Sequence, residues 1–180
     1  MHPRQPLPRL WLMTDERQGE ALWDALTRLP RGAGVVFRHY GLDPAARRAL
    51  FRKVRAIARR RRLLLMAAGV PMRGADGVHG RRGPGLVSFP AHNLRELRAA
   101  EAAGAHLVFL SPAFPTRSHP GARTLGAVRF GLIVRQARIP VIALGGMDAR
   151  KGRRLGRLGA YGWGAIDAWS ADQKRKAVPT

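Results

Sequence analysis

The chain has 180 residues, a hydrophobic share of 46%, no cysteine and a formal net charge of +22. Those totals suit one folded domain and exclude wholesale disorder, a disulfide framework, a thiolate nucleophile and a Cys-based zinc site. No apolar run is long enough to span a bilayer and residues 1–9 lack the apolar stretch of a secretory signal, so the expected location is cytoplasmic, away from membranes.

Residues 1–9 mix three prolines with Arg4, Arg9 and His2 and are expected as an N-terminal extension. Leu10 to Met13 is a strand-sized apolar run, followed by Thr14, Asp15 and a helix near Glu20 to Leu29. Gly34 to Arg38 is the second strand. Asp43 can cap a helix and Pro44 suits its first position, which predicts a helix reaching Arg62. This helix carries the densest basic cluster, Arg47, Arg48, Arg52, Lys53, Arg55 and Arg59 to Arg62, around the apolar positions Leu50, Val54 and Ile57. The spacing predicts a solvated outer face over a core stripe. The remaining basic residues are spread along the chain, all but four of the 33 are arginine, and no stacking aromatics alternate with them, so nucleic acid is not an expected partner.

Leu63 to Met66, Asp76 to His79 and Leu86 to Phe89 are three further strands, with Gly and Pro rather than helices in the two gaps. Asn93 opens a helix from Leu94 to Ala103, and Glu96 is placed to complete a capping box. Leu107 to Leu110 is the sixth strand, and it runs into "SPAFPTRSHPGARTLG", residues 111–126. A helix from Leu125 to Ala137, a strand from Ile139 to Leu144, Gly145 and Gly146, a helix from Asp148 to Leu158 and a strand from Gly162 to Ile166 follow. Residues 171–180 form a polar tail expected to be loose.

Eight strands interleaved with helices predict an α/β protein with a parallel sheet covered on both faces. Eight is the number that closes a (β/α)8 TIM-type barrel, here shortened by helices missing around strands three to five, in a single domain over 10–170. An open doubly wound sheet is the alternative.

Barrel chemistry sits at the carboxyl ends of the strands. Strand one ends in Thr14 and Asp15, strand two in Arg38, His39 and Tyr40, strand four in His79, strand five in Ser88 and strand eight in Asp167, while strand three ends in Ala67 and Ala68. Gly145 and Gly146, followed by a helix, suit a phosphate held by backbone N–H groups, although a tight strand-to-helix turn asks for the same residues. Thr116, Arg117, Ser118, His119 and Arg123, stiffened by Pro112, Pro115 and Pro120, form either a lid over that anion or a solvated loop. Asp15 either positions a substrate or caps a helix, and His79 is either an acid or base or a satisfied core histidine. Lys53 and Lys151 fall on helices, and Lys174 and Lys176 in the tail, which argues against a Schiff-base aldolase.

In chain order, "LWLMTDER" (10–17), "ADGVHG" (75–80), "LVSFPAHNLRELRAAEAAGAHLVFLSPAFPT" (86–116), "IPVIALGGM" (139–147) and "GAYGWGAID" (159–167) resemble the thiamine phosphate synthase and thiazole tautomerase superfamily, as a diverged member. The resemblance implies a phosphate-binding (β/α)8 barrel and a transferase of thiamine biosynthesis that joins hydroxymethylpyrimidine diphosphate to thiazole phosphate with release of pyrophosphate. Its partners would be those small phosphorylated thiazole and pyrimidine ligands. It implies substrate contacts at Arg38, Ser88, Thr116, Ser118, Gly145, Gly146 and Ile166, with Asp167 beside them. No catalytic residue follows from it; His79, His119 and Arg38 are the candidates.

The resemblance also implies Mg2+ on the pyrophosphate, but the family's metal carboxylates are replaced by Ala67 and Ala68 after strand three and by "GRRGPG", residues 80–85, after strand four. No metal ligand is assigned, and no other cofactor is evident. The family's Gln-x-Arg-x-Lys on strand two reads Val36, Arg38, Tyr40, its strand-six lysine reads His119, and the tautomerase histidine reads Pro112. Arg81 and Arg82 are candidates for neutralising pyrophosphate in the metal's place, because guanidinium forks and Mg2+ meet the same oxygens. The alternative function is a non-catalytic or repurposed phosphate-ligand barrel, and a remote one is nucleic-acid binding through the basic surface. A homo-oligomer is left open.

Overall fold

The computed structural model describes residues 6–116, 121 and 123–169. The elements in order are β1 Leu10–Met13, a 3-10 turn Glu16–Gln18, α1 Ala21–Arg28, β2 Gly34–Phe37, α2 Pro44–Arg61, β3 Leu64–Ala68, β4 Gly77–His79 and β5 Leu86–Ala91. They continue with α3 Leu94–Ala102, β6 Leu107–Leu110, α4 Gly126–Val134, β7 Val141–Ala143, α5 Ala149–Gly156 and β8 Gly162–Ala165. Each strand pairs in parallel with the next, and β8 returns to β1, with Trp11 opposite Gly164, so the sheet is a closed barrel rather than an open one. Helices are missing between β3 and β4 and between β4 and β5, where residues 69–76 and 80–85 connect the strands.

The strands read as nearly continuous apolar runs because both of their faces are covered. Inside the barrel, Trp11, Met13, Val36, Met66, Leu107, Phe109 and Ile142 pack together. The Trp11 indole fits there because its neighbour on β2 is Gly34; a Cβ at that position would collide with the ring. Outside, two separate layers form. Leu22 and Leu26 of α1 and Phe51 and Val54 of α2 meet Val35, Phe37 and Leu65, while Leu97 of α3, Phe130 of α4 and Leu155 of α5 meet Val108, Leu110 and Val141.

The expected extension is, over Leu7–Arg9, part of the barrel's floor. The Leu7 carbonyl accepts from Tyr161 Oη at 2.9 Å, the Pro8 carbonyl from Trp11 Nε1 at 2.8 Å, and the Arg9 carbonyl from the Trp163 N–H at 2.8 Å. Among the described residues, no helix is long and apolar enough to cross a membrane.

Asp43 caps α2 as its sequence predicts, its Oδ1 accepting from the N–H groups of Ala45 and Ala46 at 2.9 and 3.0 Å. The buried stripe of α2 is Phe51, Val54 and Ala58, with Leu50 and Ile57 only at its edges, a rotation from the expected stripe. The basic cluster also differs from a purely solvated face. Arg47 donates through Nε to the His39 carbonyl (2.9 Å) and through Nη2 to the Ala68 carbonyl (2.7 Å), Arg55 to the Gly74 carbonyl (3.1 Å) and Arg61 to the Leu29 carbonyl (2.7 Å). Helical periodicity does not reveal this, because the acceptors belong to loop and strand-end backbone elsewhere in the chain. In α3, Asn93 Oδ1 accepts from the Glu96 N–H at 2.9 Å, but Glu96 Oε2 accepts from the N–H of His92 at 2.8 Å instead of from that of Asn93.

Candidate functional site

A cavity of about 390 Å3 opens where the carboxyl ends of β2, β6, β7 and β8 converge. Six of the residues placed with the substrate by the resemblance line it: Arg38, Thr116, Gly145, Gly146, Ile166 and Asp167. They come from four different strands, which the barrel's closure brings to one rim.

The glycine turn is shaped by its neighbour loop. After β6 the chain continues alongside the end of β7, with the Ala113 N–H on the Leu144 carbonyl (2.8 Å) and the Phe114 N–H on the Gly145 carbonyl (3.1 Å). Gly145 and Gly146 both have positive φ, at 91° and 61°. A Cβ on Gly145 would stand 2.8 Å from Pro112 Cα, and one on Gly146 would collide with the Pro115 carbonyl oxygen. Two glycines are therefore required by backbone conformation and by the close approach of residues 112–115. Beyond them Asp148 caps α5, its Oδ1 accepting from the Lys151 N–H at 2.8 Å.

Across the rim, Arg38 is held from two sides. Its N–H donates to Thr14 Oγ1 at 2.9 Å, and its Nη2 lies 3.6 Å from Asp15 Oδ2. Asp15 caps the 3-10 turn through a capping box with Gln18, and its carboxylate ties Arg17 and Arg38 together. The Arg17 hydrogen bond is the main cause holding the Asp15 carboxyl below its ordinary range, against the opposing effect of burial, with the charge of Arg38 contributing less. Asp15 is thus a charged anchor. Gln18 extends the same brace, its Nε2 donating to the Ile166 carbonyl at 2.8 Å.

His79 and Ser88 lie beneath this rim. His79 Nδ1 is 2.9 Å from Ser88 Oγ, the ring stands edge-on to Phe109, and both residues are buried. Burial, with a smaller push from Arg38, lowers the imidazole to about 4, so it is neutral at pH 7. Its burial and its bond to a serine hydroxyl, rather than to backbone, are what a core histidine would show. Ser88 also donates toward Met66 Sδ at 3.6 Å and is not part of the cavity wall.

The arginines after β4 are elsewhere. With no helix to return through, residues 80–85 run down the outer wall, where Gly83 packs beside the Val78 side chain. Arg82 donates through Nε to the Ala103 carbonyl at 2.9 Å, at the carboxyl end of α3, and Arg81 is exposed; neither lines the cavity. Ser118 and His119 lie outside the described residues, as does Arg117, while Arg123 is exposed and outside the wall.

Sequence reading missed Lys151 and His92, which do line the cavity. The sequence places Lys151 on a helix, and three residues after the Asp148 cap it stands in the first turn beside the glycines. His92 follows β5 and pairs with Glu96, 2.8 Å from ring nitrogen to carboxylate.

The fold and cavity define a (β/α)8 barrel with a ligand-sized opening on its carboxyl face. A family model described as thiamine monophosphate synthase matches residues 81–168. A protein of Aquifex aeolicus (strain VF5) named "Putative thiamine-phosphate synthase 2" is 34% identical, over 89% of this chain and 96% of its own. The thiamine-phosphate synthase of Geobacillus kaustophilus (strain HTA426) is 27% identical over 97% of this chain and 90% of its own. Among solved structures, a thiamine phosphate pyrophosphorylase from Pyrococcus furiosus superposes with a TM-score of 0.76 and 24% identity, over 95% of this chain and 91% of that one. The chain belongs to the thiamine monophosphate synthase family.

The positions to which the family's metal carboxylates align do not fit the Mg2+ that the resemblance implies, although Asp148 and Asp167 do line the cavity. Mg2+ takes hard oxygen ligands in near-octahedral order. The end of β3 offers the buried methyl groups of Ala67 and Ala68, and Val36 of β2 packs inside the barrel. Asp76 belongs to the opposite end, its Oδ2 accepting from the Leu65 N–H at 2.8 Å. Among the described residues no group of three or more His, Cys, Asp or Glu side chains is gathered for a metal ion.

Proposed function

We propose that this chain is a thiamine-phosphate-synthase-type transferase, joining hydroxymethylpyrimidine diphosphate to thiazole phosphate in the cytoplasm. In the reaction the bond from the pyrimidine methylene carbon to diphosphate oxygen breaks, its electron pair leaving with pyrophosphate. The lone pair of the thiazole ring nitrogen then forms the new carbon–nitrogen bond. The observation that carries the reading is the single cavity that Arg38, Thr116 and the Gly145–Gly146 turn line together.

The chain's own residues divide the work. The glycine turn and Thr116 hold the thiazole phosphate, and Ile166 and Asp167 border it. Arg38, braced by Asp15, faces the leaving pyrophosphate, where a preorganised guanidinium stabilises developing charge. His79, neutral and bonded to Ser88, supports the floor of the site and carries no proton for the reaction near neutral pH. Because alanines stand where the resemblance puts the metal carboxylates after β3, no step is assigned to a metal.

The test is pyrophosphate release from the two substrates, with Mg2+ and with chelator. Release is expected in both, and Arg38→Ala should lower it by about a hundredfold. No release in either condition, from protein shown to be folded, would overturn the transferase reading. It would favour the second one, a barrel that binds a phosphorylated ligand without turning it over, which the alanines at the end of β3 and the outward course of Arg82 support.

A further inference from the structure

We propose that Lys151 is the cation that makes this cavity select a phosphate monoester dianion. The inference deepens the phosphate-binding reading of the glycine turn and rests on it. Lys151 lies in the first turn of α5 and in the cavity wall beside Gly145, Gly146 and Thr116. Its Nζ donates to the Gly146 carbonyl at 2.7 Å, stands 3.5 Å from Asp148 Oδ2 and lies 5.4 Å from the centre of the Phe114 ring. The ammonium is therefore anchored to the turn, to the cap of α5 and to the loop after β6.

Two of these contacts matter for an anion. Asp148 caps α5 and lines the same wall, so without compensation its carboxylate would repel a phosphate from the helix end. The Gly146 carbonyl likewise presents negative charge where the turn should receive an anion. Lys151 offsets both. An ammonium has three N–H donors, and the two oxygens within its reach leave one for a ligand oxygen. Its ammonium also lies over the Phe114 face, which favours one placement of an otherwise flexible side chain.

The test compares wild type, Lys151→Met and Lys151→Arg by calorimetry, with thiazole phosphate and the unphosphorylated thiazole alcohol as ligands and thermal unfolding as the check on folding. Lys151→Met keeps the apolar stem and is expected to weaken thiazole phosphate at least about tenfold while leaving the alcohol within about twofold. Lys151→Arg should retain phosphate binding and, if Lys151→Met does not fold, Lys151→Gln takes its place. Thiazole phosphate bound by the charge-free variant as tightly as by wild type would overturn the inference and leave the phosphate-site reading standing. Equal weakening of both ligands would also overturn it, by making Lys151 a brace for the turn. Wild type that binds the alcohol as well as the phosphate ester would remove the phosphate-site reading itself, and this inference with it.

Discussion

Around β6, β7 and β8 the barrel mouth is made of polar backbone and charged side chains, whereas at the ends of β3 and β4 it is made of Ala67, Ala68 and a histidine turned toward its neighbouring strand. The difference follows the helices. After β7 the chain must enter α5, so the glycine turn, the Asp148 cap and Lys151 are all held at the rim. After β4 there is no helix to enter, and residues 80–85 descend the outer wall and take Arg81 and Arg82 with them. A strand end becomes a site only when the following segment stays beside it.

The comparison breaks most severely at Gly146. Gly146→Ala places a methyl group against the Pro115 carbonyl at a φ of 61°, and neither strand end nor loop can yield without losing its ladder bonds. We expect a stability loss of about 3 kcal/mol and thiazole phosphate binding weakened by about a hundredfold. Denaturant unfolding and calorimetry would measure the two; a variant with unchanged binding would show that the turn is not part of the site.

The β3–β4 side is sharpened by pH. His79 has its imidazole lowered from 6.5 to about 4 by burial, so the unfolded chain binds a proton in that interval that the folded chain does not. Its contribution is full above pH 6.5 and is lost as pH falls toward 4, by roughly 3 kcal/mol over the whole interval. His39, lowered chiefly by its burial, adds in the same direction. Carboxylates held low, such as Asp15, act at still lower pH, below their unfolded value of 3.8. Unfolding measured from pH 7 to 4 should show this slope in wild type and a flatter one in His79→Gln. Equal slopes would place His79 in contact with water.

The smallest expected effect is at Arg82. Arg82→Ala removes two hydrogen bonds to the carboxyl end of α3, on the Ala102 and Ala103 carbonyls, and should lower stability by about 0.5 kcal/mol. Pyrophosphate release should stay within about twofold of wild type, since Arg82 lies outside the cavity wall and bonds to the end of α3. A tenfold loss would return the outer wall to the site.

Much of this protein is legible along the chain. Eight apolar runs, the Asp43 and Asn93 caps and the Gly–Pro gaps around β4 lead to a shortened parallel barrel, because burial on both faces and capping are local demands on residue type. The residues that end strands two, six, seven and eight were likewise identifiable, since in a closed barrel those ends share one rim. The places of Ser88, Arg82 and Arg47 were not, because each depends on partners in another element: His79 on β4, the end of α3, and the carbonyls of His39 and Ala68. By itself the sequence determined the number of strands, their order and which of them end in polar residues. Only the tertiary structure decided which polar residues meet, because the direction of a side chain at a strand end is set by the next segment's path, and that path depends on packing across the barrel.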